Sequence, residues 1–121
     1  MKTILIVDDS AVMIMSLRQS LELGGFKVES ARDGKEALDK VKAGLKPHLV
    51  LTDINMPVMG GLEFIQQVRP ILRFTPILIL TTESDATKRD QAKKLGATGW
   101  LVKPVASADL LSTIKRILPA T

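Results

Sequence analysis

Four short apolar runs punctuate the chain: Ile4-Leu5-Ile6-Val7, Leu49-Val50-Leu51, Ile77-Leu78-Ile79-Leu80 and Trp100-Leu101-Val102. None alternates with polar residues, and continuous runs this short suit strands buried on both faces, as in a parallel sheet. A fifth stretch, Lys27-Val28-Glu29-Ser30-Ala31, does alternate, which suits an edge strand with one face partly wet. Helical spacing fills the gaps. Ile14, Leu17 and Leu21 recur at that spacing, and Gly24-Gly25 supplies a stop. Asp33-Gly34-Lys35-Glu36 has the form of a capping box with Asp33 as N-cap; Ala37, Leu38 and Val41 follow as an inward stripe that ends near Gly44. Ile65, Val68 and Leu72 make a third stripe. The stretch from about Ser84 to Leu95 reads as a fourth helix, weakly amphipathic and strongly charged, closed by Gly96. Ser107 is expected to cap a fifth, with Leu110, Leu111, Ile114, Ile117 and Leu118 facing inward and Pro119 beyond its end.

Strand and helix therefore alternate five times. That pattern predicts an α/β fold, a parallel sheet with helices on both faces. No repeat, linker or low-complexity segment interrupts it. At 121 residues, with 45% hydrophobic side chains, there is material for one domain with a real core. Cysteine is absent, which excludes disulfides, thiolate metal sites and thiol nucleophiles and makes a reducing compartment the default. No apolar run approaches the roughly 18 residues of a membrane span. The first run is closed at once by Asp8-Asp9, unlike a signal peptide. Seventeen Lys and Arg against 13 Asp and Glu give a net charge of +4. We read these cations as spread over helix faces, since net charge says nothing about clustering.

Polar residues that the core does not explain follow the runs. Asp8 and Asp9 follow the first, Asp53 the run Leu49-Val50-Leu51-Thr52, Thr81 and Thr82 the run ending at Leu80, and Lys103 follows Val102. In an open parallel sheet these strand ends share one edge, and ligands bind in the crevice outside it. Residues 8 to 103 are thus expected to converge. Three carboxylates together would raise one another's pKa. Lys103 can neutralise one; a divalent cation can neutralise more. Oxygen donors without His or Cys favour Mg²⁺ or Mn²⁺. A carboxylate beside a metal, a lysine and a hydroxyl is equipped for phosphoryl transfer, with the carboxylate as nucleophile and the cations stabilising phosphoryl charge. Met56-Pro57-Val58-Met59-Gly60-Gly61 forms a turn after Asp53, and Lys103-Pro104 is a candidate cis peptide bond that the sequence alone leaves open.

Four motifs carry a family resemblance. They are Ile6-Val7-Asp8-Asp9-Ser10, Leu51-Thr52-Asp53-Ile54-Asn55-Met56-Pro57 with Gly60-Gly61, Leu80-Thr81-Thr82-Glu83, and Gly96-Ala97-Thr98-Gly99-Trp100-Leu101-Val102-Lys103-Pro104. Their order and spacing resemble the receiver domain of bacterial two-component response regulators, most of all the stand-alone chemotaxis type. The resemblance covers essentially the whole chain. It implies a flavodoxin-like, doubly wound five-stranded parallel sheet in the order 2-1-3-4-5 with five helices, and a single receiver domain over residues 1–121 with no output domain.

The resemblance also implies roles. Asp53 accepts a phosphoryl group from a histidine kinase. Asp8, Asp9, Asp53 and the backbone carbonyl of Asn55 hold Mg²⁺. Thr81 bonds the phosphoryl group and Lys103 pairs with it. Asn55 and Glu83 tune its hydrolysis, and Trp100 stands where the family keeps a switch aromatic, usually Tyr or Phe. Val105 replaces a common Phe, a change expected to affect packing under the fifth helix. Signalling is expected to leave through the fourth helix, fifth strand and fifth helix, with Lys88, Arg89, Lys93 and Lys94, joined by Lys115 and Arg116, forming a basic output face for an acidic partner segment.

The expected protein is a cytoplasmic monomer with a downstream target such as a flagellar motor switch, open to a phosphatase, and with no membrane insertion. It is expected not to be an enzyme beyond its own phosphorylation and dephosphorylation. A phosphate sink or a different phosphorelay is the alternative. Other classes fit less well. An aspartyl-phosphate phosphatase would need an acid where Asn55 stands. Nucleic-acid binding would need a helix-turn-helix, zinc pattern or aromatic platform, and only 3% of residues are aromatic. No G-x-G-x-x-G turn follows the first run, so a dinucleotide site is not expected. His48, the one histidine, is read as a surface residue and not a phosphodonor.

Overall fold

The computed structural model describes residues 1–118. Strands and helices alternate as β1 (Thr3–Val7), α1 (Ala11–Leu23), β2 (Lys27–Ala31), α2 (Gly34–Lys42), β3 (Leu49–Thr52), α3 (Gly61–Val68), β4 (Ile77–Thr81), α4 (Ala86–Lys94), β5 (Gly99–Val102) and α5 (Ser107–Ile117). All five strands are parallel, in the order β2-β1-β3-β4-β5. This is the expected doubly wound, flavodoxin-like sheet.

The two-residue period of each strand divides the core into two layers. Leu5, Val7, Val50, Ile77 and Ile79 point to one face, where they pack with α2, α3 and Ala92 of α4. Ile4, Ile6, Leu49, Leu51, Leu78 and Leu80 point to the other, beneath α1 and α5. Burial on both faces is why these runs show no polar alternation. Each fully buried Leu or Ile contributes roughly 1.5–3 kcal/mol. Asp33 caps α2 as expected, accepting the Glu36 N–H at 2.8 Å, while Glu36 itself faces Lys40.

Four expectations need correction. β5 is an edge strand, not a doubly buried one, and Val102 is 45% exposed. α3 ends at Val68, because Pro70 has no N–H to extend the ladder. Leu72 is therefore outside the helix, although still buried. α4 starts at Ala86, after the N-cap Asp85, which accepts the Thr87 N–H at 2.7 Å. Ser107 does not cap α5. Ala106 holds that position without a side-chain bond, and the Ser107 hydroxyl instead lies 3.0 Å from that of Ser20 on α1. Pro119 lies outside the described residues.

Candidate functional site

The strand ladder runs one residue past three strand ends. The Asp8 N–H donates to Ala31 at 3.1 Å, the Asp53 N–H to Val7 at 2.9 Å and the Lys103 N–H to Thr81 at 2.7 Å. Backbone pairing thus sets Asp8, Asp53 and Lys103 along one edge, as expected. Carboxylate oxygens of Asp8, Asp9 and Asp53 all lie within 4.8 Å of one another. Asp8 is buried, Asp53 half-buried and Asp9 exposed.

Lys103 binds the cluster together. Its Nζ donates to Asp8 Oδ2 at 2.8 Å and to Asp53 Oδ2 at 3.0 Å. Burial by itself would push the ammonium pKa down, but the bonds and charges of Asp8 and Asp53 outweigh it and leave the pKa raised. Lys103 is therefore a fixed cation at neutral pH. The Lys103-Pro104 peptide bond is cis. The remaining carboxylate oxygens are met by backbone. Asp8 Oδ1 accepts the Ser10 N–H at 2.9 Å, and Asp53 Oδ1 accepts the Ile54 N–H at 2.6 Å. Ser10 also caps α1, accepting the Met13 N–H at 3.2 Å. That capping position was readable from a Ser between an acidic pair and a helical stripe, yet sequence reasoning assigned it no role.

The turn after Asp53 needs glycine where α3 begins. A Cβ on Gly61 would stand 2.2 Å from the Asp53 carbonyl oxygen, so only glycine lets the helix start this close. Earlier in the same turn Val58 takes a left-handed φ of 68° and is 82% exposed.

Thr81 is fully buried, and its Oγ1 accepts the Glu83 N–H at 3.2 Å; Thr82 is exposed. Glu83 in turn gathers the loop. Its carboxylate meets Lys88 at 3.3 Å and the Asp85 N–H at 3.2 Å. Lys88 first, then Asp85, hold the Glu83 pKa below the usual carboxylate range. The Glu83 carbonyl accepts the Trp100 indole N–H at 3.2 Å. Half-buried Trp100 is thereby tied to the loop that Thr81 opens.

The expected basic face of α4 is divided. Lys88 is engaged with Glu83. Arg89 and Lys93 border a cleft of about 310 Å³ beside Trp100, in company with Asp90. Lys94 lies on the other side of the helix, with Glu63, Gln66 and Gln67 of α3. The four cations do not form one patch. Lys115 and Arg116 occupy the last turn of α5. Val105 packs into the layer under α1 and α5. His48 is exposed and accepts the Thr3 N–H on Nδ1 at 3.0 Å, a structural use at the opposite edge of the sheet.

Sequence reasoning missed Arg69. Its guanidinium donates to the carbonyls of Leu72 and Thr75, each at 2.7 Å, and of Gly96 at 2.6 Å. It clamps the loop before β4 to the loop before β5. Burial lowers its pKa. An Arg just after a helical stripe looks like an exposed cap, and nothing local identifies its three partners.

A divalent cation fits the acidic edge. Three carboxylates against one ammonium leave two negative charges, and the donors are all oxygen. Asp9 is exposed, and Asp8 and Asp53 present carboxylates beside it. No helix among the described residues is long and apolar enough to cross a membrane.

Comparison with known proteins agrees with this geometry. Response regulator MprA of Mycolicibacterium vanbaalenii is 40% identical over 118 residues, which is 98% of this chain and 51% of that protein. The chain thus spans about half the length of the curated relatives it matches. Among solved structures, the Vibrio cholerae chemotaxis protein CheY4 superposes with a TM-score of 0.90 at 44% identity, covering 97% of this chain and 98% of that one. A CheY-like receiver domain protein from Methanospirillum hungatei gives a TM-score of 0.94 at 32% identity, over 98% and 94% of the two chains. The family described as the response regulator receiver domain matches residues 4–115, from the first strand into the last helix. The chain belongs to the receiver-domain family of two-component response regulators.

Proposed function

We propose that this receiver domain is a phosphorylation-driven switch that takes a phosphoryl group from a histidine kinase onto Asp53 and passes the signal to a downstream target. The observation that carries the reading is the half-buried Asp53 carboxylate held between Lys103 and the carboxylates of Asp8 and Asp9. An Asp53 oxygen attacks the phosphorus of a phosphohistidine. The new O–P bond forms as the P–N bond breaks, and the imidazole leaves with the electron pair. Lys103, already an ammonium, turns a donor to the phosphoryl oxygens as charge builds on them. Thr81 Oγ1 spends a lone pair on the Glu83 N–H, which leaves its hydrogen for a phosphoryl oxygen. Asp8, Asp9, Asp53 and the Asn55 carbonyl would hold Mg²⁺ or Mn²⁺, whose charge stabilises the phosphoryl oxygens.

Phosphorylation replaces the single charge of the Asp53 carboxylate with roughly −1.5 to −2 on the phosphoryl oxygens, a net gain of at most about one negative charge, set further out in the crevice. Thr81 follows that charge, Glu83 moves with it, and Trp100 carries the movement to β5. Chemistry beyond the domain's own phosphorylation and dephosphorylation is not part of this reading. The protein acts in the cytoplasm, and its pathway is chemotaxis with a flagellar motor switch as target. The support is the near-complete mutual coverage with CheY4. A second reading, the receiver portion of a longer regulator, draws on the MprA relatives.

The test is labelling by acetyl phosphate. Wild-type protein incorporates phosphate only with Mg²⁺, and Asp53→Asn loses the label. Label persisting in Asp53→Asn overturns the assignment of the acceptor. Binding of the beryllofluoride-loaded protein to a motor-switch segment, and none to promoter DNA when fused in longer form, separates the two pathways.

A further inference from the structure

Phe74 is 93% exposed, on the loop before β4, and Ile71 beside it is 46% exposed. Both sit at the amino ends of the strands, the pole opposite Asp53. They border a cleft of about 620 Å³ between this loop and the one before β3, with Leu45 and Leu118 in its lining. That volume is within the roughly 300–1,000 Å³ of clefts that take up ligand-sized groups. Lys46 and Arg73 stand on its rim, and no carboxylate lines it. The Arg73 guanidinium lies over the Phe74 ring, 6.0 Å from its centroid, at the outer limit of a cation–π contact. Among the described residues neither Lys46 nor Arg73 is in an ion pair.

Three of the five helices end on the same sign, while the last turn of α1 carries Glu22, which faces Arg18. The last turns of α2, α4 and α5 carry Lys40 and Lys42, Lys93 and Lys94, and Lys115 and Arg116. In a parallel α/β sheet these helix ends reach this pole. The acids concentrate at the other edge, in the phosphorylation site and in Glu36, Glu63 and Asp109 of the first helical turns.

We propose that this pole is a second docking surface, which recognises an acidic protein segment carrying an apolar anchor residue. Charge complementarity selects the acidic segment, and the recess beside Phe74 takes the anchor. A flat lipid surface would leave the recess unfilled. A second copy presenting the same pole would repel this one. The inference does not depend on the phosphorylation reading.

The experiment uses the ¹⁵N-labelled full chain and a library of acidic dodecapeptides, each with one Leu, Phe or Trp. The expected result is amide shift changes centred on 45–48 and 71–76, weakened by salt, and lost when the peptide acids become amides or the anchor becomes Ser. Phe74→Ala and Arg73→Glu each weaken binding by about tenfold, while labelling of Phe74→Ala by acetyl phosphate is unchanged. Five results would overturn the proposal, the first four through the peptide experiment and the last through self-association. The first four are no binding across the library, shifts confined to α4, binding unaffected by Phe74→Ala and Arg73→Glu, or protection of 71–76 by phosphatidylglycerol vesicles in place of peptide. The fifth is shifts at this pole that grow with protein concentration alone, which would assign it to a second copy instead.

Discussion

Val58 holds the left-handed region with a β-branched side chain that gains no burial in return. That conformation costs an L-residue roughly 1–2 kcal/mol, whereas glycine adopts it freely and loses about 0.5–1 kcal/mol in chain entropy. Val58→Gly is therefore expected to raise stability by about 0.5 kcal/mol or more, read as a higher urea midpoint. Lys103 is the residue whose loss matters most at the acidic edge. Lys103→Met leaves buried Asp8 without its cation and is expected to cost about 2–4 kcal/mol in metal-free buffer. Mg²⁺ should restore more stability to the variant than to the wild type. Because the folded-state pKa of Lys103 is raised, its contribution is complete below about pH 10.4 and fades as pH climbs through the higher folded value. Urea midpoints followed upward from pH 9 should fall less in Lys103→Met. Asp8, Asp53 and Lys103 were legible in the sequence because each follows an apolar run and has no packing reason to be there. The strain at Val58 was not, since Pro57-Val58 reads as an ordinary turn until the approach of Gly61 to Asp53 dictates its path.

At the scale of elements, local signals predicted most of what formed. The apolar runs became strands, and Asp33 capped α2 where an acid three residues before Glu36 said it would. Failures came where partners distant in sequence decide. β5 reads as buried because its apolar run is continuous, but its place at the sheet edge exposes Val102. Ser107 reads as a cap, but α1 lies near enough for Ser20 to take its hydroxyl. The Arg69 clamp joins two loops, and its bond to Gly96 spans 27 residues of sequence. Gly96 makes room for it: a Cβ there would stand 2.9 Å from Arg69 Nε, on a backbone with φ of +107°. Arg69→Ala leaves three carbonyls short of a charged donor and is expected to cost about 3 kcal/mol or more in thermal or urea unfolding. Arg69→Lys should recover little, because one ammonium lacks the planar fork that meets carbonyls on two loops.

At the scale of the whole molecule, the loop after β4 ties Thr81, at the acidic edge, to Trp100 on β5 through Glu83. Trp100 is the chain's one tryptophan, so its emission reads one place, where the loop after β4 meets the cleft beside α4. Beryllofluoride with Mg²⁺ should shift Trp100 fluorescence in the wild type and leave Asp53→Asn unchanged; the same spectrum in both would uncouple Trp100 from the site. Charge also acquires a direction at this scale. The net +4 combines an acidic edge with a more basic exterior, and the division of Lys88, Arg89, Lys93 and Lys94 among three environments could not be read from their clustering in sequence.

The bridge from Lys103 to Asp8 and Asp53 has a consequence for how the protein matures. Its three members come from the ends of β1, β3 and β5, so the first and last are 95 residues apart. A chain folded only as far as β4 carries the three carboxylates without their ammonium, and their repulsion opposes closing the sheet. Docking of β5 relieves it. A cation that binds the finished edge and not the unfolded chain adds its binding free energy to the stability of the whole sheet. The acidic edge with its ammonium in place therefore exists only once β5 has joined the sheet.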